Sequence, residues 1–261
     1  SGVLPLFIMP RLFLGGNHKC TGTIGSLKTL LAQFAEKSIP EDIDFVVAPS
    51  MMHLPLAVEE AKAPIQISAQ NCYFKKGAFT GETNIEQIKD IGLEWVILGH
   101  SERRHVFGES HELIATKTKT AIEAGLKVIY CVGETLEEKE AGKTEEVCAG
   151  QLEAIGKVLT EEQWKSVVIA VEPVYAIGTG VAATPESAQS TNAFCRKWVS
   201  EHVSAAIAKD ISIAYGGSVK PSNAEELSRQ PDIDGFLVGG ASTSPAFLEI
   251  MEILVKVKAT L

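Results

Sequence analysis

Glu172 stands directly before Pro173, and the run that follows ends in Gly178-Thr179-Gly180. The residue before a proline is biased toward extended backbone, so Glu172 is expected at a strand end beside a glycine-bearing loop. A carboxylate there, next to a segment able to close over it, suits a general base that must be kept from water. His100 and Lys19 are its natural complements; each follows a short apolar run. With Ser101 read as a helix N-cap, the positive helix end disfavours imidazolium, so His100 is expected to be a neutral hydrogen-bond donor. Lys19 offers a cation to a phosphate or to a developing oxyanion. Gly216-Gly217-Ser218 and Gly239-Gly240 would let backbone approach a ligand closely, and amides at a following helix start attract anions. A base, a neutral donor, a cation and an anion pocket together suit proton transfer beside the carbonyl of a small phosphorylated molecule. Each acid–base group typically contributes about 10²–10⁴ in rate, so the set needs no cofactor.

These residues need a frame. Eight apolar strand candidates run through the chain: Leu12–Gly15, Ile43–Ala48, Ile65–Ala69, Trp95–Leu98, Lys127–Val132, Val167–Val171, Ile211–Tyr215 and Gly235–Val238. Helical segments alternate with them, which predicts βα units and a parallel sheet. Nearly continuous apolar strands such as WVIL and VVIAV suit a sheet covered on both faces. Eight units without a dividing linker predict a closed (β/α)8 barrel, class α/β, as a single domain over residues 9–261. In such barrels the chemistry sits at the C-terminal strand ends, with phosphate often bound after strands seven and eight. Asn17, Lys19, His100, Glu172, Ser218, Gly239 and Gly240 all fall just after predicted strands.

Helix boundaries are also readable. Thr83-Asn84-Ile85-Glu86 and Ser222-Asn223-Ala224-Glu225 have the form of capping boxes. Thr184-Pro185 and Ser244-Pro245 each place a cap before a proline at the first helical position. Gly92 and Gly125 are expected to stop helices. Ala188, Thr191, Cys195 and Trp198 form a helical stripe.

The 261 residues are 45% hydrophobic, enough for a large core, and the net charge of −9 argues against nucleic-acid or basic membrane-surface binding. No apolar run approaches the roughly 20 residues of a membrane span. Five cysteines without paired spacing read as reduced, intracellular thiols, and no CxxC or HExxH supports a metal site. The chain opens Ser-Gly, and its first eight residues are expected to be a remnant of fusion or processing, with Met9 as the start.

The chain closely resembles the triosephosphate isomerase family. The segments GGN-K, AQN, GAFTGE, LGHSERR, CVGET, EPV-AIGTG, YGGSV and DGFLVGGAS occur in the family's order, from about Arg11 onward. The resemblance implies a TIM barrel and an intramolecular aldose–ketose isomerase acting on dihydroxyacetone phosphate and glyceraldehyde 3-phosphate, without cofactor or metal. It implies Glu172 as the base and His100 as the group that polarises the carbonyl and protonates the enediolate. It implies Asn17 and Lys19 as stabilisers of negative charge, with Glu102 near Lys19. Gly178, Ser218, Gly239 and Gly240 would offer amides to the phosphate, and residues 173–181 would be the lid. A cytoplasmic homodimer is implied, in which the loop after Gln70-Asn71 brings Thr80 near the neighbouring subunit's site. Two other readings compete: a barrel isomerase or epimerase for another sugar phosphate, and a non-catalytic relative kept for binding. Retention of Asn17, Lys19, His100 and Glu172 together, with the full lid sequence, disfavours both.

Four positions depart from the family's common residues: His18 stands for Trp or Phe, Val171 for Tyr, Tyr175 for Trp, and Val181 for Lys. None removes a group that does chemistry, and the expected consequence is altered lid motion.

Overall fold

The computed structural model describes residues 10–174 and 183–261. The first nine residues and Tyr175, Gly178 and Val181 therefore lie outside the described residues. Eight parallel strands close on themselves in chain order. They are β1 (Leu12–Asn17), β2 (Ile43–Ala48), β3 (Gln66–Ala69), β4 (Trp95–Leu98), β5 (Lys127–Val132), β6 (Val167–Val171), β7 (Ile213–Tyr215) and β8 (Gly235–Val238). The predicted (β/α)8 barrel is thus the observed fold. The closing seam pairs Phe13 with Gly235 and Gly16 with Val238.

The two-residue period of each strand divides the core in two. Phe13, Val46, Trp95, Ile97, Ile129, Cys131, Val168, Ala170, Ala214 and Leu237 fill the barrel interior. The alternate residues, among them Leu14, Phe45, Val96, Tyr130, Ile169, Tyr215 and Phe236, pack outward against the helices. Strands such as β4 and β6 therefore read as continuously apolar because both of their faces are buried.

Three strand boundaries differ from expectation. β1 runs two residues further, so Gly16 and Asn17 belong to the strand. β3 begins at Gln66, whose side chain accepts from the Trp95 indole at 2.7 Å. β7 begins at Ile213, because Ile211 caps the preceding helix Ala205–Asp210.

The capping boxes are shifted in register. The helix Ile85–Asp90 is capped by Asn84, which pairs with Gln87, not by Thr83 with Glu86. Pro221 opens the helix Pro221–Ser228, and Asn223 reaches back to the Lys220 amide at 2.8 Å, so Ser222 is not the cap. Pro245 takes the cap position of the helix Ala246–Lys258, and the Ser244 hydroxyl turns to the Ala241 carbonyl. Thr184 does cap the helix Pro185–His202 through the Ser187 amide, with Pro185 in its first turn. Gly92 and Gly125 carry φ of 87° and 84° just past helix ends, a conformation that favours glycine.

Candidate functional site

Strand parity aims the key side chains. In β6, Val168 and Ala170 face inward, and the next residue of that parity is Glu172. In β1, Phe13 faces inward and so, four residues on, does Asn17. The backbone at Glu172 is fixed on both sides: its amide donates to the Val132 carbonyl at 2.6 Å, and the Gly216 amide donates to the Val171 carbonyl at 2.7 Å.

β4 presents His100 differently. Gly99, with φ of 72°, breaks the alternation, and His100 becomes the N-cap of the five-residue helix Ser101–His105. Ser101 is its first helical residue, not the expected cap. The turn is pinned from beneath by buried Arg104, which donates to the carbonyls of Gly99 at 2.7 Å and Cys131 at 2.9 Å. Sequence reasoning gave Arg104 no role; its signal was only its place within LGHSERR.

The Glu172 carboxylate is 2% exposed and both of its oxygens are engaged. Oε1 lies 3.1 Å from His100 Nε2, and Oε2 accepts from the Ser101 amide at 3.1 Å. Burial pushes the Glu172 pKa up, but His100, the Ser101 amide and Lys19 outweigh it and hold the carboxyl below its usual value. His100 Nδ1 accepts from the Glu102 amide at 3.2 Å, which leaves Nε2 facing Glu172. Burial lowers the His100 pKa, while the charge and hydrogen bond of Glu172, with Glu102, raise it and prevail. The neutrality expected from the helix end is therefore opposed by the carboxylate that His100 faces.

Lys19 adopts φ of 52°, a left-handed conformation uncommon outside glycine. Two bonds hold it there: its amide donates to Asn17 Oδ1 at 2.9 Å, and its carbonyl accepts from Gln70 Nε2 at 2.8 Å. Its Nζ reaches Glu102 Oε1 at 2.6 Å.

A cavity of about 600 Å³ brings Asn17, Lys19, His100 and Glu172 together with Ser218, Gly239 and Gly240. Glu102 stands at its edge through Lys19. The two glycine pairs prove unlike. A Cβ on Gly216 would lie 2.7 Å from Glu172 Cγ, and one on Gly217 would collide with the Tyr215 hydroxyl. Those two are spacers within the protein. A Cβ on Gly240 would meet nothing, and one on Gly239 only Lys19 Cε at 3.8 Å. Internal packing gives no reason for glycine at 239 and 240, whereas close approach of a ligand does. Both ends of the segment 175–182 are tied down: the Val174 amide donates to the Glu134 carbonyl at 3.0 Å, and the Ala183 amide to the Tyr215 hydroxyl at 3.2 Å.

No cluster of metal-ligating side chains exists among the described residues. A second cavity of about 340 Å³ adjoins the first and shares Asn17, Lys19 and His100 with it. It is also lined by Cys20, Asn71 and Phe107. Beneath it lies an ionic cluster that the sequence did not announce, in which buried Lys117 and Arg103 converge on Glu109 Oε1.

The sequence profile of triosephosphate isomerase matches residues 12–254. The triosephosphate isomerase of Taenia solium is 51% identical over 92% of this chain and 97% of that protein. Those of Emericella nidulans and Aspergillus oryzae are each 48% identical over 93% of this chain and 98% of theirs.

Proposed function

We infer the roles of individual residues from the premise that the chain belongs to the triosephosphate isomerase family. It is an isomerase that interconverts dihydroxyacetone phosphate and D-glyceraldehyde 3-phosphate. Glu172 is the base. Its depressed pKa keeps it ionised at neutral pH, and it must leave the Ser101 amide to reach a substrate carbon. It takes a proton from the carbon beside the carbonyl, and the electron pair moves onto the carbonyl oxygen to give an enediolate. Lys19 and Asn17 stabilise its negative charge; His100 Nε2 gives its proton to that oxygen and takes the proton of the neighbouring hydroxyl, whose oxygen becomes the new carbonyl. Glu172 then returns the proton to the neighbouring carbon. Glu102 positions Lys19 through their 2.6 Å contact. The amides of Ser218, Gly239 and Gly240 receive the phosphate; Gly178 and all but the first two residues of the expected lid 173–181 lie outside the described residues.

The observation that carries this reading is the single cavity joining Glu172, His100, Lys19 and Asn17 to Gly239 and Gly240. Its volume falls within the usual 300–1,000 Å³ of small-molecule sites. Coupled turnover of glyceraldehyde 3-phosphate by the wild type and by Glu172→Asp tests it. Absence of wild-type isomerisation overturns the reaction; an unimpaired Glu172→Asp overturns the base.

We also propose a homodimer. Residues 75–80 are exposed, Phe79 among them, and the second cavity opens beside the catalytic residues. The neighbouring subunit's Thr80 loop would fill that cavity. No helix among the described residues is long and apolar enough to cross a membrane. A cytoplasmic site of action is proposed on the five free cysteines, which suit a reducing compartment.

A further inference from the structure

CVGET, residues 131–135, lies at the end of β5 and takes no part in the chemistry assigned to the cavity. The β5–β6 ladder stops where Val132 pairs with Val171. Gly133 is the next residue, and its backbone lies directly against that of Glu172: a Cβ there would collide with the Glu172 carbonyl group. That close approach requires glycine. The Glu172 amide donates to the Val132 carbonyl at 2.6 Å, and the Val174 amide donates to the Glu134 carbonyl at 3.0 Å. Residues 132–134 are therefore the bed on which the backbone of Glu172 and its successors rests.

Gly133 stands past the end of the ladder, and a buried backbone group without a partner is costly. The side chain of Gln151 supplies both partners. Its Oε1 accepts from the Gly133 amide at 2.7 Å, and its Nε2 donates to the Gly133 carbonyl at 3.1 Å. A carboxamide carries a donor and an acceptor on one carbon, which neither a carboxylate nor a thioether does. Gln151 is 2% exposed and belongs to the helix Thr144–Gly156, where it is a polar residue among buried Cys148, Leu152 and Ile155. Its own backbone is tied to β5 by the Tyr130 hydroxyl, which donates to the Gln151 carbonyl at 2.6 Å.

We propose that Gln151 is a positioning residue for the base: its amide holds Gly133, and Gly133 in turn seats the backbone of Glu172. Without that amide both polar groups of Gly133 are left buried and unpaired. The segment must then shift to find other partners, and Glu172, pressed against it, shifts as well. The groups assigned to phosphate, Ser218, Gly239 and Gly240, follow β7 and β8, whereas Gln151 acts on the end of β5, on the other side of β6. Loss of the clamp therefore disturbs proton transfer and spares phosphate binding. The proposal rests on the assignment of Glu172 as the base.

The test measures turnover of glyceraldehyde 3-phosphate, and its inhibition by inorganic phosphate, in wild type, Gln151→Met, Gln151→Asn and Tyr130→Phe. Gln151→Met keeps the length of the side chain without its hydrogen bonds. Gln151→Asn keeps the amide but withdraws it by one methylene. Misplacing a catalytic group by about 1 Å costs on the order of 10²-fold, so a loosened seat should lower kcat about tenfold in both variants. KM and the inhibition constant for phosphate should stay within about twofold of wild type. Tyr130→Phe removes a buried hydrogen bond to the same residue yet leaves the amide on Gly133; it should lower the melting temperature and leave kcat unchanged. If Gln151→Met does not fold, Gln151→Asn decides alone. An unchanged kcat overturns the proposal, as does a loss confined to KM or an equal fall of kcat in Tyr130→Phe. An unimpaired Glu172→Asp overturns instead the base assignment beneath it.

Discussion

His100 Nε2 lies 3.1 Å from Glu172 Oε1, so the two groups assigned to proton handling are held by one another before any substrate arrives. The pairing opposes what burial does to each. Glu172 is kept below its usual pKa and His100 above its ordinary 6.5. Glu172→Gln removes the carboxylate and leaves burial as the chief influence on the imidazole. The His100 pKa should then fall from above 6.5 to below it, read from its ring-proton NMR titration. A pKa that does not move would show that the pair is not coupled.

Lys19 places a cation at the rim of both cavities, held by Glu102 at 2.6 Å. A charge-assisted hydrogen bond is worth about 1.5–3 kcal/mol. Lys19→Met is therefore expected to cut kcat/KM about 10–100-fold with the melting temperature nearly unchanged. Steady-state kinetics alongside calorimetry check this. A loss below threefold would remove Lys19 from the charge-stabilising set.

Gly216→Ala would press a methyl to within 2.7 Å of Glu172 Cγ and 3.3 Å of the Val171 carbonyl. The side chain must shift, and misplacement of a catalytic group by about 1 Å costs on the order of 10²-fold. kcat should fall far more than stability does. Wild-type kcat in this variant would show that Glu172 needs no fixed seat.

His18 ties the acid stability of the barrel to one ring. Burial holds its pKa down at about 4, against 6.5 for an ordinary histidine. Between these values the unfolded chain binds the proton and the folded one does not. Its contribution is therefore complete above pH 6.5, shrinks as pH falls, and is lost by pH 4. Lowering the pH from 7 to 5 should cost about 2 kcal/mol through His18 alone. Denaturant unfolding of wild type and His18→Phe at fixed protein concentration should show a steeper pH slope in the wild type by that amount. Parallel slopes would contradict it.

Phe79 is 36% exposed and Thr80 is exposed beside it. Phe79→Asp should shift the proposed dimer toward monomer, seen as a halved mass by sedimentation at micromolar concentration. An unchanged sedimentation profile in this variant would place the association elsewhere.

Much of this was legible because barrel strands obey a simple period and end where their chemistry begins. Val167–Val171 is apolar on both faces, so its limits were read without error, and Glu172 followed. Capping was legible only to within a residue. Thr83 and Asn84 are both competent caps, and the choice depends on whether Glu86 or Gln87 folds back. The division of labour among the glycines was hidden, since Gly216 and Gly240 look alike until Glu172 is seen packed against one of them. Arg104 was hidden for the same reason: it acts through backbone groups brought near by folding, the carbonyls of Gly99 and Cys131.

β1 pairs with β2 on one side and with β8 on the other. The sheet is a ring, and among the described strands none has a row of unpaired amides and carbonyls. A second copy therefore finds no ladder to extend, which removes the commonest route from a strand-rich fold to fibrous aggregation. Any association of folded copies has to be negotiated through side chains on the outer helices and the connecting loops, where a single charge can permit or forbid it.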